Sequence, residues 1–222
     1  MNTLKLKAKQ ILNFLAPFGF YYLMMLVVAF SIYVFMETDN PWFNVLHKLF
    51  LFIILTGWYF KKEPVRYIPK PNLTYKSICL IMLSGSILSF VLNLIITYSV
   101  ILLAKLSPAK EQIDQAVQAA TYNKDMPLAC LILSSVILAP LLEELLFRGL
   151  LLQRASRNWS KWPSVIIVAL LFAIYHGNPI QGIYAFLMGL IMCLLAYRYK
   201  ALLPSILFHF SANLTIVILG LI

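Results

Sequence analysis

The chain alternates long, unbroken apolar runs with short polar loops, most of them basic. Seven runs come near or exceed the ~20 apolar residues that a helix needs to cross the hydrocarbon of a bilayer. They are 14–36, 43–60, 77–104, 127–147, 163–177, 180–197 and 203–222. None alternates polar and apolar residues with the period of two expected of a membrane barrel. Lipid offers the backbone no hydrogen-bond partner, so the runs are helices. The pattern predicts an all-α, polytopic transmembrane bundle of about seven to eight helices. The run 77–104 is overlong and predicts tilt or an extension beyond the bilayer. In the loop 105–126, Ile113, Val117 and Ala120 predict a short amphipathic helix. The segment 149–162 carries Trp159 and Trp162 among basic residues, a mixture that favours the membrane interface.

Composition agrees with the pattern. Of the 222 residues 62% are hydrophobic and 12% are charged, too few charges to cover a soluble surface. The mean hydropathy is +0.86. The net charge of +10 lies in clusters between apolar runs and not in a stripe, which argues for cytoplasmic loops and against nucleic acid as a partner. Lys5, Lys7 and Lys9 precede the first run; Lys61, Lys62, Arg66, Lys70 and Lys76 follow the second; Arg148, Arg154, Arg157 and Lys161 follow the fourth; Arg198 and Lys200 follow the sixth. All of these fall on one side for a multi-pass protein of the cell membrane with seven spans and a cytoplasmic N-terminus. The first run is too long for a signal-peptide core and reads as a retained span. Cys79, Cys130 and Cys193 lie inside apolar runs at wide spacings and read as packing residues. The chain divides into N-terminal helices and a polar loop (1–126) and a second part (127–222) that holds the candidate chemistry, together one membrane domain.

That chemistry begins with two adjacent carboxylates, Glu143 and Glu144, inside an apolar run. A carboxylate at membrane depth costs ~2.5–3.5 kcal/mol on insertion scales, so it persists where it meets a cavity, a partner or a proton. Arg148, four residues on, shares a helix face with Glu144 and pairs with it. Glu143 points about 100° away, without an obvious cation, and is a candidate base. His176 and His209 lie in later runs, with Asn213 one turn beyond His209. His47 reads as a core residue without a role. Lipid forces the polar clusters of separate helices to face one another. A glutamate, two histidines and an asparagine suit metal-assisted hydrolysis, metal-free hydrolysis or a proton pathway. A structural clamp with no chemistry is the bland alternative. Pro140, Pro179 and Pro204 sit where they can free backbone groups near a cavity.

The patterns E-E-x-x-x-R (Glu143, Glu144, Arg148, then Gly149), F-x-x-x-H (Phe172, His176) and H-x-x-x-N (His209, Asn213) occur in this order on separate runs. Over about residues 127–216 they resemble the CAAX prenyl protease and bacteriocin-processing (CPBP, or Abi) family of intramembrane proteases. The resemblance implies a helical bundle with a polar intramembrane cavity and a peptide or membrane-protein substrate. It implies that Glu143 activates water with help from His176, that His209 and Asn213 hold the oxyanion, and that Glu144 and Arg148 orient the helix. A zinc ion held by Glu143, His176 and His209 is the metal-dependent version. The metal-free version is preferred here because no H-E-x-x-H motif is present. The implied roles are peptide maturation or self-immunity to a bacteriocin; a non-enzymatic immunity or binding protein is the alternative. One expectation conflicts with the shared site. If the basic clusters mark the membrane face, Glu143 and His209 lie ~8–14 Å deep, whereas His176 lies ~22 Å from Lys161.

Overall fold

A computed structural model describes residues 2–35, 40–62, 72–106, 111, 115 and 126–221. The amphipathic helix expected around Ile113, Val117 and Ala120 lies outside these residues. Among the described residues the long helices follow in chain order: α1 (Asn2–Phe35), α2 (Trp42–Lys62), α3 (Tyr75–Leu106), α4 (Leu128–Asn158), α5 (Lys161–Tyr175), α6 (Pro179–Tyr199) and α7 (Leu203–Leu221). No strand occurs among the described residues. The protein is a multi-pass helical membrane bundle. Among the described residues six helices are long and apolar enough to span a membrane. The exception is α5, whose 15 residues cover ~22 Å, short of the ~30 Å hydrocarbon thickness.

The central element is α4. Two thirds of its most apolar stretch (67%) is buried, against 11% for α3. It is not regular. Ile132–Leu138 and Leu145–Leu152 are π-helical, on either side of an α-helical turn, Ala139–Glu144, that carries the paired carboxylates. Local π geometry widens a helix and is frequent at functional sites. Pro140 explains part of it. The Ala139 N–H bonds the Ser134 carbonyl, and Pro140 has no N–H to offer the next carbonyl, that of Ser135. The same device recurs in α1. Pro17 leaves the Asn13 carbonyl without its helical donor, and Arg154 Nη1, from α4, takes that place.

The expected boundary of the fourth run is corrected by the fold. Residues 149–152 are not interfacial but core: Leu150, Leu151 and Leu152 are wholly buried, and α4 continues to Asn158. Leu142, Leu146, Phe147 and Leu150 pack in one cluster with Leu51, Leu55 and Tyr59 of α2 and Phe14 and Tyr21 of α1. Gln153 donates to the Tyr59 hydroxyl at 3.2 Å, which satisfies a polar group inside that cluster. Only the tail is interfacial in character, with Trp162 exposed and Lys161 over its ring.

The other helices close around α4. Small residues let α3 approach α7: a Cβ on Gly85 would collide with the Ser211 side chain and the Phe208 carbonyl. Ser89, also buried, donates to the Ala212 carbonyl at 3.0 Å. Close approach at small residues and interhelical hydrogen bonds drive helix association in lipid, where water supplies no hydrophobic force. Between α5 and α6 the chain turns at Gly177, with φ +65°, and Asn178 caps α6 by accepting from the backbone N–H groups of Ile180 (2.9 Å) and Gln181 (3.2 Å). Pro179, at the first turn of α6, needs no donor there.

Candidate active site

Three helices bring the sequence-predicted polar residues to one cavity of about 430 Å³. Glu143 comes from α4, His176 from the end of α5, and His209 and Asn213 from α7; α3 and α6 complete the wall. Thus the N-terminal part of the chain lines the site through α3, with Asn93 and Thr97 facing the cavity.

The depth conflict dissolves once Arg148 is placed. It is wholly buried and is no loop residue, so it does not mark the membrane face. Counted from Asn158, where α4 ends, Glu143 is 15 residues in, ~22 Å. Counted from Lys161, where α5 starts, His176 is also 15 residues in. Lys200 itself is exposed, but Ala201, Pro204 and Ser205 just after it are already buried by protein.

The polar centre is a chain of contacts. Arg148 Nη1 donates to Glu144 Oε1 at 2.8 Å, both side chains fully buried. Arg148 Nη2 donates to the Gly189 carbonyl of α6 at 3.1 Å. The guanidinium also lies 4.7 Å from the centre of the Phe172 ring. On the other side, His209 Nδ1 meets the same Glu144 oxygen at 2.9 Å. His209 Nε2 then stands 3.7 Å from Glu143 Oε2. A cation, a carboxylate, an imidazole and a second carboxylate therefore run in series from the core to the cavity. Within this series Glu144 orients His209 as well as binding Arg148, a link that helical spacing could not reveal because it joins helices 65 residues apart.

His176 is held differently. Its Nδ1 lies 2.8 Å from the Phe172 carbonyl, to which it donates as the Nδ1–H tautomer, leaving Nε2 as an acceptor. Asn213 Nδ2 donates to the Ser135 carbonyl at 2.8 Å, the carbonyl that Pro140 leaves without a helical donor. One amide hydrogen of Asn213 is thus used to seal α4 and to fix the side chain at the cavity wall; the amide has a second hydrogen.

Two contributors were not legible as site residues. Phe172 appeared only as the first letter of F-x-x-x-H. It faces Arg148, and its ring meets His176 at 4.8 Å and His209 at 5.9 Å, so it spaces the three cationic or imidazole groups. Lys48, beside the unassigned His47, reaches from α2 to the Ser134 carbonyl at 3.1 Å.

Among the described residues no three His, Cys, Asp or Glu side chains gather as a metal ion requires.

A helical membrane bundle with a carboxylate–histidine cluster sunk between its helices is the class that the fold and the site define. Residues 125–215, which hold all three motifs, match the family described as type II CAAX prenyl endopeptidase Rce1-like. Over this segment the chain is similar to CAAX-type intramembrane proteases, in keeping with the resemblance seen in the motifs. An uncharacterized 24.3 kDa protein of Escherichia coli is 37% identical over 97 residues, which are 41% of this chain and 45% of that protein. The chain thus matches less than half the length of that relative. No solved structure matches.

Proposed function

We propose that this protein is an intramembrane endopeptidase that hydrolyses a peptide bond with a water activated by Glu143. The observation that carries the reading is the 3.7 Å approach of His209 Nε2 to Glu143 Oε2 at the cavity, with His209 held from behind by the buried Glu144–Arg148 pair. A base needs a fixed geometry before it needs strength. Here every orienting group is itself hydrogen-bonded.

Water bound at Glu143 gives its proton to the carboxylate while its oxygen adds to the scissile carbonyl carbon. The acceptor Nε2 of His176 takes the second hydrogen bond of that water and aims it. The carbonyl oxygen becomes an oxyanion. As the imidazolium, His209 donates Nδ1–H to Glu144 and Nε2–H to that oxyanion. Asn213 donates its second amide hydrogen to the same oxygen; one such donor contributes ~3 kcal/mol to the barrier. The C–N bond then breaks, and the leaving amine takes the proton held by Glu143. The substrate class is a peptide or membrane-protein segment that reaches the cavity from the bilayer or the cytoplasm. The N-terminus faces the cytoplasm in this reading, residues 127–222 form the catalytic-type core, and the biological setting is peptide maturation or bacteriocin self-immunity.

The test is cleavage of a panel of membrane-embedded and short secreted peptides by purified protein, wild type against Glu143→Gln, with and without a strong chelator. Cleavage by wild type alone, insensitive to chelator, is expected. Cleavage at the wild-type rate by Glu143→Gln refutes the reading. Loss of wild-type cleavage in chelator would return the metal version. If a folded wild type cuts nothing while the well-expressed mutant loses a bacteriocin-protection phenotype, the protein is a binding or immunity protein that uses the same cluster.

A further inference from the structure

A peptide bond open to attack is not one closed in a helix. An unwound substrate segment brings a backbone N–H and C=O per residue into the cavity, and in apolar surroundings each needs a partner. The wall offers few, since Ile96, Val100, Ile180, Met188 and Met192 make up much of it. Glu143, His176, His209 and Asn213 belong to the chemistry. Tyr184, Ser135 and Gln181 already have partners. Asn93 and Thr97 of α3 remain. Both line the cavity, Asn93 half-buried and Thr97 exposed, and among the described residues neither side chain makes a hydrogen bond. They continue a ridge of α3 residues spaced by four. Its earlier members, Ile81, Gly85 and Ser89, are the buried residues of α3. Gly85 gives α3 its close approach to α7, and Ser89 donates to the Ala212 carbonyl. The burial ends there, so Ser89 fixes α3 one turn before Asn93, and the next two members face open space. An asparagine amide inside a membrane span is costly unless something answers it.

We propose that Asn93 and Thr97 bind the main chain of the substrate and hold it extended along α3, in the cavity that Glu143 also lines. The spacing fits. Four residues of helix rise ~6.0 Å, and the backbone groups on one side of an extended strand repeat every two residues, ~6.6–6.8 Å. The Asn93 carboxamide has an acceptor and a donor, so it pairs with the N–H and the C=O of one substrate residue. The Thr97 hydroxyl meets the next residue on that edge. An extended peptide adds to a sheet edge in the same way; here a helix ridge takes the place of the strand. What the pair recognises is backbone, and therefore an unwound segment of any sequence. Preference for apolar side chains falls to the rest of the wall, where Met188 and Met192 are adaptable. The ridge lies outside residues 125–215, so the grip on substrate comes from a helix that the family match does not cover. The proposal rests on the protease reading for its catalytic consequence, but the binding of an extended peptide does not.

The experiment reads binding apart from cleavage. Full-length Glu143→Gln protein, chosen so that the probe is not consumed, is titrated in mild detergent with a terminally blocked, fluorescein-labelled octapeptide of alternating leucine and alanine. The same peptide is also prepared with one backbone amide N-methylated at a time. Adding Asn93→Leu is expected to weaken binding about tenfold and Thr97→Val about threefold, with thermal midpoints within roughly 2 °C of the parent, because neither side chain has a protein partner to lose. N-methylation at one position is expected to weaken binding to the parent about tenfold, and to the Asn93→Leu protein less than about threefold. Equal methylation penalties in the two proteins overturn the proposal, as does the absence of saturable binding to the parent. A midpoint lowered by more than about 5 °C in Asn93→Leu with binding unchanged makes Asn93 a packing residue and overturns it too. Where wild type cleaves peptide, Asn93→Leu is expected to raise KM about tenfold with kcat little changed; an unchanged KM refutes the grip while leaving the protease reading intact. Coupled binding with no cleavage by wild type sinks the protease reading alone.

Discussion

Removing Arg148 is the sharpest test of how this bundle tolerates charge. In Arg148→Met the volume and apolar contacts of the side chain are largely kept, but its three polar engagements vanish. Glu144, fully buried, is left with His209 as its hydrogen-bond partner. Breaking one side of a buried pair costs ~3–5 kcal/mol, because the remaining charge stays out of water. The Gly189 carbonyl also loses its bond to Nη2, and an unsatisfied buried acceptor costs ~1–3 kcal/mol. The contact with the Phe172 ring adds ~1–2 kcal/mol for a desolvated cation. These terms overlap, since one side chain makes all three, so a loss of roughly 4–6 kcal/mol is the working figure. For a chain of this size ~1 kcal/mol moves the midpoint by ~2–4 °C, which puts the expected fall at about 8–24 °C. Unfolding followed by tryptophan fluorescence in mild detergent measures it. Arg148→Lys should recover only part, because an ammonium cannot span Glu144 and Gly189 with a planar fork. Glu144→Gln combined with Arg148→Met should lie well above the single variant, because no net charge is then stranded. A fall of less than about 3 °C in Arg148→Met, or a double variant no better than the single, would refute the reasoning.

Three other outcomes follow from the same geometry. Pro140→Ala restores a backbone N–H opposite the Ser135 carbonyl, so Asn213 loses its anchor; the expected result is unchanged or raised thermal stability with peptide cleavage down about tenfold, read in the same preparation. Asn213→Leu leaves the Ser135 carbonyl and the oxyanion without a donor, and should cost ~1–3 kcal/mol of stability together with a ~10²–10³-fold loss of kcat; a stable variant with normal kcat would remove Asn213 from both roles. Gly85→Ala forces α3 away from Ser211 and the Phe208 carbonyl, and should destabilise the protein by ~1–3 kcal/mol in a thermal scan.

Two readings of the chain show why sequence and structure diverge where they do. The pairing of Glu144 with Arg148 was legible because it is local: four residues is one helical turn, whatever the rest of the protein does. The depth of Glu143 was misjudged because a basic residue was taken as a marker of the membrane face. That inference holds for a charge that reaches water, and Arg148 does not: it is neutralised by Glu144 and shielded by Phe172. The run 149–162 was misplaced for the same reason, since Trp159 and the arginines suggested an interface while Leu150–Leu152 were already core; Trp159 itself packs edge-on against Phe14 of α1 at 5.0 Å.

By itself, the sequence determined the solvent, the secondary structure and the set of polar groups. Runs of about 20 apolar residues can satisfy their backbones only as helices, and polar side chains within them must find one another. Partner choice belonged to the tertiary structure. That His209 bonds Glu144 and faces Glu143, that Asn213 answers the carbonyl left by Pro140, and that Lys48 turns inward to Ser134 all depend on contacts between helices distant in the chain. Periodicity places a residue on its own helix. Only the packing of α2, α4, α5 and α7 around one another decides which of those faces meet.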